Sequence, residues 1–523
     1  MSDAPLPRLG IDLGTTRTVV VAADRGRYPV ASFDVGGDFR DHLPAVAVHA
    51  QGRWWFGDAG HERLAAPTPD AFGVASVKRL VGELAPDDPL PGGPEGETAL
   101  SLLVGYLAWV RTMLLTRSNL VLPEADDDRP LPAMVAVPAN AGTRQRYLTL
   151  EAFGHAGFSV LGMLNEPTAA AIEYAHREPV VLSARSPKRY VVVYDLGGGT
   201  FDTAAVSLQG QRFDLLTSEG IGRLGGADFD ALLLELVRAE LGDAGSGPDA
   251  PAFGGAAALE LCRDAKEGLS PRSRRLVIDP APLWPDAAPV VISAEVLYER
   301  CRPLVMRTLE HVDRLFAALP RHGIDPEDPR QLGALYLVGG SVAFPPVARV
   351  LRERHGRKIK LSAQPHAATA LGLAVAADPE AEIRVREATT RHFGVWREGD
   401  DGREKIFDPI LSKDTLPPDD RDLVVERRYR PVHTIGHLRF LECTTLGADG
   451  RPEGDVTPWS QLRFPYDPTL AGHALDGLPI ERRARAGDEI VETYVRAPDG
   501  TITVDIANPS AAMRRTWVLG ALR

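Results

Sequence analysis

Two loops constrain this chain more than any other feature, Asp12-Leu13-Gly14-Thr15-Thr16 and Asp195-Leu196-Gly197-Gly198-Gly199-Thr200. Each follows an apolar or β-branched run and is followed by another, so each reads as a hairpin with a carboxylate at its mouth and glycines at its tip. Glycine lets the backbone turn tightly, so that consecutive N–H groups face one bound anion. Either loop alone reads equally well as a plain glycine-rich hairpin. The pair predicts a duplicated lobe that grips phosphate from both sides.

The 523 residues allow roughly three or four domain-sized units. A content of 44% hydrophobic and 25% charged residues is that of an ordinary globular chain. The net charge of −12 argues against nucleic acid or an acidic membrane as the main partner. Cys262, Cys301 and Cys443 show no C-x-x-C spacing, so neither a disulfide framework nor a zinc site is implied. The opening residues lack a signal-peptide pattern and no apolar run is read as a membrane span, so a cytoplasmic location is expected.

Along the chain, residues 9–56 read as strands and 86–96 as a Pro/Gly/Asp break. Helices are expected over 100–115, 143–155, 167–176, 229–241, 256–269, 295–319 and 345–355, with strands at 133–137, 213–218 and 335–338. Residues 242–255 read as an exposed loop, and 378–390 as a charged linker. This alternation predicts an α/β architecture. Beyond residue 392 short strands at 423–428, 435–442, 489–496 and 501–506, separated by Asp-Gly turns, predict an all-β sandwich.

Several strings stand in one series: the first loop, Lys78 in Val77-Lys78-Arg79-Leu80, Val137-Pro138-Ala139, and Asn165-Glu166-Pro167-Thr168-Ala169-Ala170-Ala171. The second loop with Phe201-Asp202, Leu224-Gly225-Gly226-Ala227-Asp228, and Leu337-Val338-Gly339-Gly340-Ser341 complete it. In order and spacing the chain resembles the heat-shock protein 70 (DnaK-like) chaperones of the actin-like ATPase superfamily. The resemblance implies two RNase H-like lobes in residues 1–380, lobe I about 1–183 with 366–380 and lobe II about 188–365. A linker at 381–391 and a substrate-binding-like sandwich at 392–523 would follow. ATP or ADP with Mg²⁺ is the implied ligand.

The resemblance also assigns roles. Asp12, Asp195 and Glu166 would hold Mg²⁺ through water, since magnesium keeps several of its waters. Gly14, Thr15, Thr16, Gly197, Gly198, Gly199 and Thr200 would meet phosphate oxygens. Lys78 would place a charge at the γ-phosphate, Asp202 would orient water, and Glu166 and Thr200 would join them in hydrolysis. Gly225, Gly226, Lys266, Ser270, Gly339, Gly340 and Ser341 would border the rest of the nucleotide. Read alone, Lys78 is a surface lysine, and Asp12 and Asp195 are turn-capping aspartates. Pro138 and Arg146 match positions that relay nucleotide state, whereas alone they are a strand end and an exposed helical arginine. Gly220-Ile221-Gly222-Arg223-Leu224-Gly225 matches G-x-G-x-x-G but overlaps the family's own Leu-Gly-Gly string, and is taken as a connector.

Four departures bear on function. Arg263 stands where the family has an acidic ribose contact, and Ala343 where an arginine often stacks on adenine; a lost stack costs about 0.5–2 kcal/mol. His366 falls in the altered string Gln364-Pro365-His366-Ala367. The linker is charged rather than apolar, so apolar docking is expected to be weak and interdomain allostery is in question. The sequence ends at Arg523, so no helical lid is expected. The reading is a slow Mg-dependent ATPase whose nucleotide state modulates the sandwich's hold on an unfolded or extended polypeptide, with possible co-chaperones. The alternatives are a nucleotide-responsive module for one dedicated protein partner, then a small-molecule kinase. A filament former fits least.

Overall fold

The computed structural model describes residues 6–65, 68, 70–122, 129–179, 186–242, 255–283, 287–399, 404–418 and 421–519. Two sheets repeat one plan. In the first, the hairpin Arg8–Leu13/Arg17–Ala23 is extended on one side by parallel strands Leu131–Val137 and Phe158–Asn165. In the second, the hairpin Tyr190–Leu196/Phe201–Gln209 is extended by parallel strands Leu332–Val338 and Ile359–Leu361. Each predicted loop is the turn of its hairpin, closed in the same way: Gly14 N–H donates to Arg17 O at 2.9 Å, and Gly197 N–H to Thr200 O at 3.0 Å.

The run Tyr190-Val191-Val192-Val193-Tyr194 is unbroken because both faces of its sheet are buried. Tyr190, Val192 and Tyr194 pack with Phe229, Leu233, Leu297 and Val305 of the helices Gly226–Leu241 and Ala294–Ala318. Val191 and Val193 face Ala170, Ala171 and Tyr174 of the helix Glu166–Arg177. That helix and Ala368–Ala377 lie between the two sheets, since their alanines share a cluster with Met134 and Ala136 of the first sheet. Nearly every expected helix is present within a few residues, and Thr143–His155 and Pro345–His355 match at both ends. Of the expected 242–255 loop, residues 243–254 lie outside the described residues.

One expectation on apolar length is corrected. The helix Ala99–Arg117 is long and apolar enough to cross a membrane by length and composition. Here its Leu102, Leu103, Tyr106, Leu107 and Val110 join the core beneath the first sheet, and Thr98 and Ser101 form a capping box at its start.

The C-terminal region is two four-stranded antiparallel sheets face to face. One orders Glu404–Leu411, His392–Gly399, Ile435–Leu446 and Pro452–Pro465; the other Leu423–Tyr429, Ile490–Arg496, Ile502–Asn508 and Met513–Leu519. Ile490–Arg496 and Ile502–Asn508 alternate buried and half-buried along their length, and their inner residues meet Phe393, Phe440 and Phe464 of the opposite sheet.

The charged linker does not hang free. Arg384–Glu387 pairs in parallel with Arg212–Ile221 and becomes the outermost strand of the second sheet. Charge is what seats it. The Arg386 guanidinium grips both oxygens of buried Asp214 at 2.7 and 2.8 Å. Burial pushes the Asp214 carboxyl up, but Arg386 and Arg212 outweigh it and hold the carboxyl below its usual range. Glu387 accepts from Asn165 N–H at 2.6 Å, and its carbonyl accepts from Arg496 at 3.2 Å. The contacts that dock the linker are thus ionic rather than apolar. Removing a charge-assisted pair of this kind costs about 1.5–3 kcal/mol. Arg386→Ala should therefore speed amide exchange at Arg384 and Ala388, whose N–H groups bond to Gln211 O and Leu215 O, by about tenfold or more.

Candidate functional site: a cleft between two glycine loops

The two loops face each other across a cleft of 290 Å³. From the first sheet come Asp12, Gly14, Thr15 and Thr16, and from the second Asp195, Gly197, Gly198 and Thr200. The helix beginning at Glu166 delivers that carboxylate to the floor, where it pairs with Lys78, each less than a tenth exposed. Ser76, the residue before the Lys78 helix, donates to Thr15 O at 2.7 Å and ties that helix to the first loop.

Gly226, Lys266, Gly339, Gly340 and Ser341 form the far wall. Lys266 pairs with buried Asp230 at 2.6 Å and donates to Gly226 O at 3.1 Å. The Ser341 hydroxyl donates to Gly197 O at 2.7 Å, tying the third glycine turn to the second loop. Gly339 has φ +86°, and a Cβ there would lie 2.5 Å from the Asp195 carboxylate, so no other residue fits that crossing.

Four expected residues do not reach the cleft wall. A Cβ on Gly225 would lie 2.5 Å from Gly199 N, so these two glycines serve backbone packing behind the loop, where Gly226 N–H and Ala227 N–H donate to Gly197 O and Gly198 O. Asp202 lies beyond Thr200, in an adjoining cavity. Ser270 follows the end of the helix Gly255–Glu267 in an exposed turn, with its hydroxyl 3.1 Å from that of Ser273. The altered positions Arg263, Ala343 and His366 all line the cleft. Arg263 is held by Glu260 at 3.0 Å, and His366 lies 2.7 Å from Asp41.

Sequence reading missed the side chains that bridge the cleft. Arg17, from the first hairpin, bonds both oxygens of Glu267 at 2.8 Å. His61 of the helix Gly57–Ala65 meets Glu260 at 3.2 Å, and that hydrogen bond raises the imidazole pKa. The signal was an i, i+7 acidic pair on one helix, Glu260 and Glu267.

Arg146 is also corrected from its bare reading. It is 3% exposed, donates to Asn165 Oδ1 at 2.5 Å and reaches Asp499 O in the sandwich at 3.2 Å. Beside it, the Thr143 hydroxyl donates to Glu442 at 2.9 Å and Arg144 to Trp459 O at 2.6 Å. Pro138 borders the same adjoining cavity as Asp202.

The electrostatics of the floor are lopsided. Burial, reinforced by Glu166, pushes Asp12 up to about 7, and likewise Asp202 up to about 7. Burial also drives Asp195 well above the carboxylate range. Lys78 loses solvation on burial, but Glu166 and Asp12 more than compensate and raise its pKa, so it stays charged. Among the described residues, no three His, Cys, Asp or Glu side chains converge closely enough to grip a metal directly.

A pH dependence follows, with a definite sign. Asp12 and Asp202 bind protons more tightly folded than unfolded, so the ligand-free protein should lose stability as pH rises from about 4 through about 7. Asp12→Asn removes one of these costs. Thermal melts without nucleotide or metal should show its midpoint above wild type at pH 8, by a few degrees, with the gap closing towards pH 5.

The family model for Hsp70 protein matches residues 126–388. Among curated relatives, a chaperone protein HscA homolog of Bordetella petrii is 35% identical over 399 residues, covering 72% of this chain and 59% of that protein. Chaperone protein HscA of Cronobacter sakazakii is 33% identical over 443 residues, covering 80% and 66%. An HscA homolog of Azotobacter vinelandii is 32% identical over 389 residues, covering 71% and 57%. The chain thus spans about three fifths of the length of these relatives.

Proposed function

The chain belongs to the Hsp70 family, and from that premise we propose that it binds ATP between its two loops and hydrolyses it slowly with Mg²⁺, nucleotide state modulating the sandwich's hold on an extended polypeptide. The observation that carries this is the pair of matched hairpin turns facing one another over the buried Lys78–Glu166 pair. The donor set fits magnesium. Asp12, Asp195 and Glu166 crowd negative charge with Lys78 as the cation among them, and a divalent ion would relieve it. Since among the described residues no three acids converge closely enough to grip an ion directly, these side chains would hold it through its water shell. When bound, magnesium neutralises phosphate oxygens and so favours attack on phosphorus.

The chain's own groups divide the remaining work. Thr15, Thr16 and Thr200 offer hydroxyl and backbone donors from opposite sides of the cleft. Lys78 presents a fixed positive charge where negative charge would build up in the transition state. Asp202, in the cavity that meets the cleft at Lys78 and Thr200, is situated to orient water arriving from that side. Coupling to the sandwich is supported by a continuous path. Glu166 adjoins Asn165, Asn165 bonds both Arg146 and Glu387, and Arg146 reaches Asp499.

The sandwich would take an extended segment by strand pairing, as open sheet edges do. The terminal strands Glu404–Leu411 and Met513–Leu519 each have one paired neighbour. A second reading, a nucleotide-responsive module for one protein partner with little turnover, is favoured by the adenosine wall. Ala343 offers no side chain there to stack on a base, and neighbouring Phe344, 3% exposed, packs into the core against Phe229.

Calorimetric titration of ATP with Mg²⁺ into wild type and Asp12→Asn/Asp195→Asn, with single-turnover hydrolysis on the same samples, tests both. Wild-type binding with slow turnover, and at least a tenfold loss in the double variant, is the expected result. Binding without turnover selects the second reading. No binding at millimolar ATP overturns both.

A further inference from the structure

A second, larger cavity of 840 Å³ adjoins the cleft, walled by both lobes and the sandwich. Thr15, Lys78 and Thr200 line the cleft and this cavity alike, so the two meet at the point where the loops would hold the terminal phosphate. The front of the cleft is bridged by the Arg17–Glu267 and His61–Glu260 contacts. Towards the rear the space widens, from 290 to 840 Å³.

The wall of the rear cavity carries seven Lys or Arg side chains against four Asp or Glu. Three of those acids lie against cations of the same wall: Glu219 against Lys413 at 2.9 Å, and Asp455 and Glu442 against Arg391 at 2.8 and 3.8 Å. The surplus is positive. Arg79 and Arg314, both exposed, contribute to it from opposite lobes. Arg79 also reaches the second loop, where a Cβ on Gly199 would lie 2.6 Å from its guanidinium. A concave surface of one sign raises the local concentration of the opposite ion and speeds its transit.

We propose that this cavity is the exit passage for inorganic phosphate, with Arg79 and Arg314 drawing the anion out of the cleft while the nucleoside diphosphate stays seated. The inference rests on the hydrolysis reading above. Hydrolysis leaves a tetrahedral anion beside Lys78 and Thr200, and the surfaces continuous with those residues lead rearward, away from the bridged front.

Gly222 offers a way to plug the passage. It lines the cavity, and a Cβ there meets nothing within 4 Å, so Gly222→Trp adds bulk without a clash at its root. The probe is beryllium fluoride, a phosphate mimic, added with Mg²⁺ to the full chain preloaded with labelled ADP. Its entry is read as the rate at which ADP becomes resistant to chase by unlabelled ADP. Gly222→Trp should slow entry at least tenfold with ADP affinity unchanged. The exposed pair Arg79→Glu/Arg314→Glu should also slow entry, and its rate should lose the salt dependence of wild type. Entry at the wild-type rate in either folded variant, with ADP bound, overturns the passage. Failure of wild type to bind ADP at all is a separate result, and it removes the nucleotide reading together with the passage.

Discussion

The helices Glu166–Arg177 and Ala368–Ala377 cross between the two sheets so closely that a Cβ on Gly372 would lie 1.7 Å from Ala169 O. On the other side of the second helix, a Cβ on Gly10 would lie 2.3 Å from Ala374 N. Only small residues permit this, which accounts for the alanines of Asn165-Glu166-Pro167-Thr168-Ala169-Ala170-Ala171 more directly than any contact with a ligand. The crossing fixes where both helices begin. Glu166 and Thr369, in their first turns, line the cleft, so the positive ends of two helix dipoles point towards the place where phosphate would lie.

That placement explains a tension in the cleft floor. Glu166, Asp12, Asp195 and Asp202 are brought under cover around Lys78, an arrangement that disfavours the empty folded state. A core designed for stability would use apolar residues here. A ligand that brought positive charge would relieve this strain. Glycine does the complementary work, letting backbone pack directly on backbone at Gly225 and Gly199 behind the second loop.

Local pattern made the hairpins, the duplicated loops and most helices legible. The loops' N–H···O closures depend only on residues within a few positions of each other. What was not legible depends on distant partners. Arg146 looks like an exposed helical arginine until Asp499, 353 positions away, covers it. The linker looks solvated until Arg386 meets Asp214, 172 positions away. The helix Ala368–Ala377 escaped notice for the opposite reason: apolar on every side, it has no polar face to give it a period. Ser270 fitted the family string, yet its helix ends at Glu267 and the chain turns outward before it.

The linker's position as outermost strand has one more consequence. Without it, the strand Arg212–Ile221 would present a row of unpaired backbone donors and acceptors along the rim of a large, well-ordered sheet. Such a rim is a template for the same rim on another molecule. The segment that ties the two halves of the protein together therefore also acts as a selvedge. While it is seated, it keeps the sheet from being continued by a neighbouring chain.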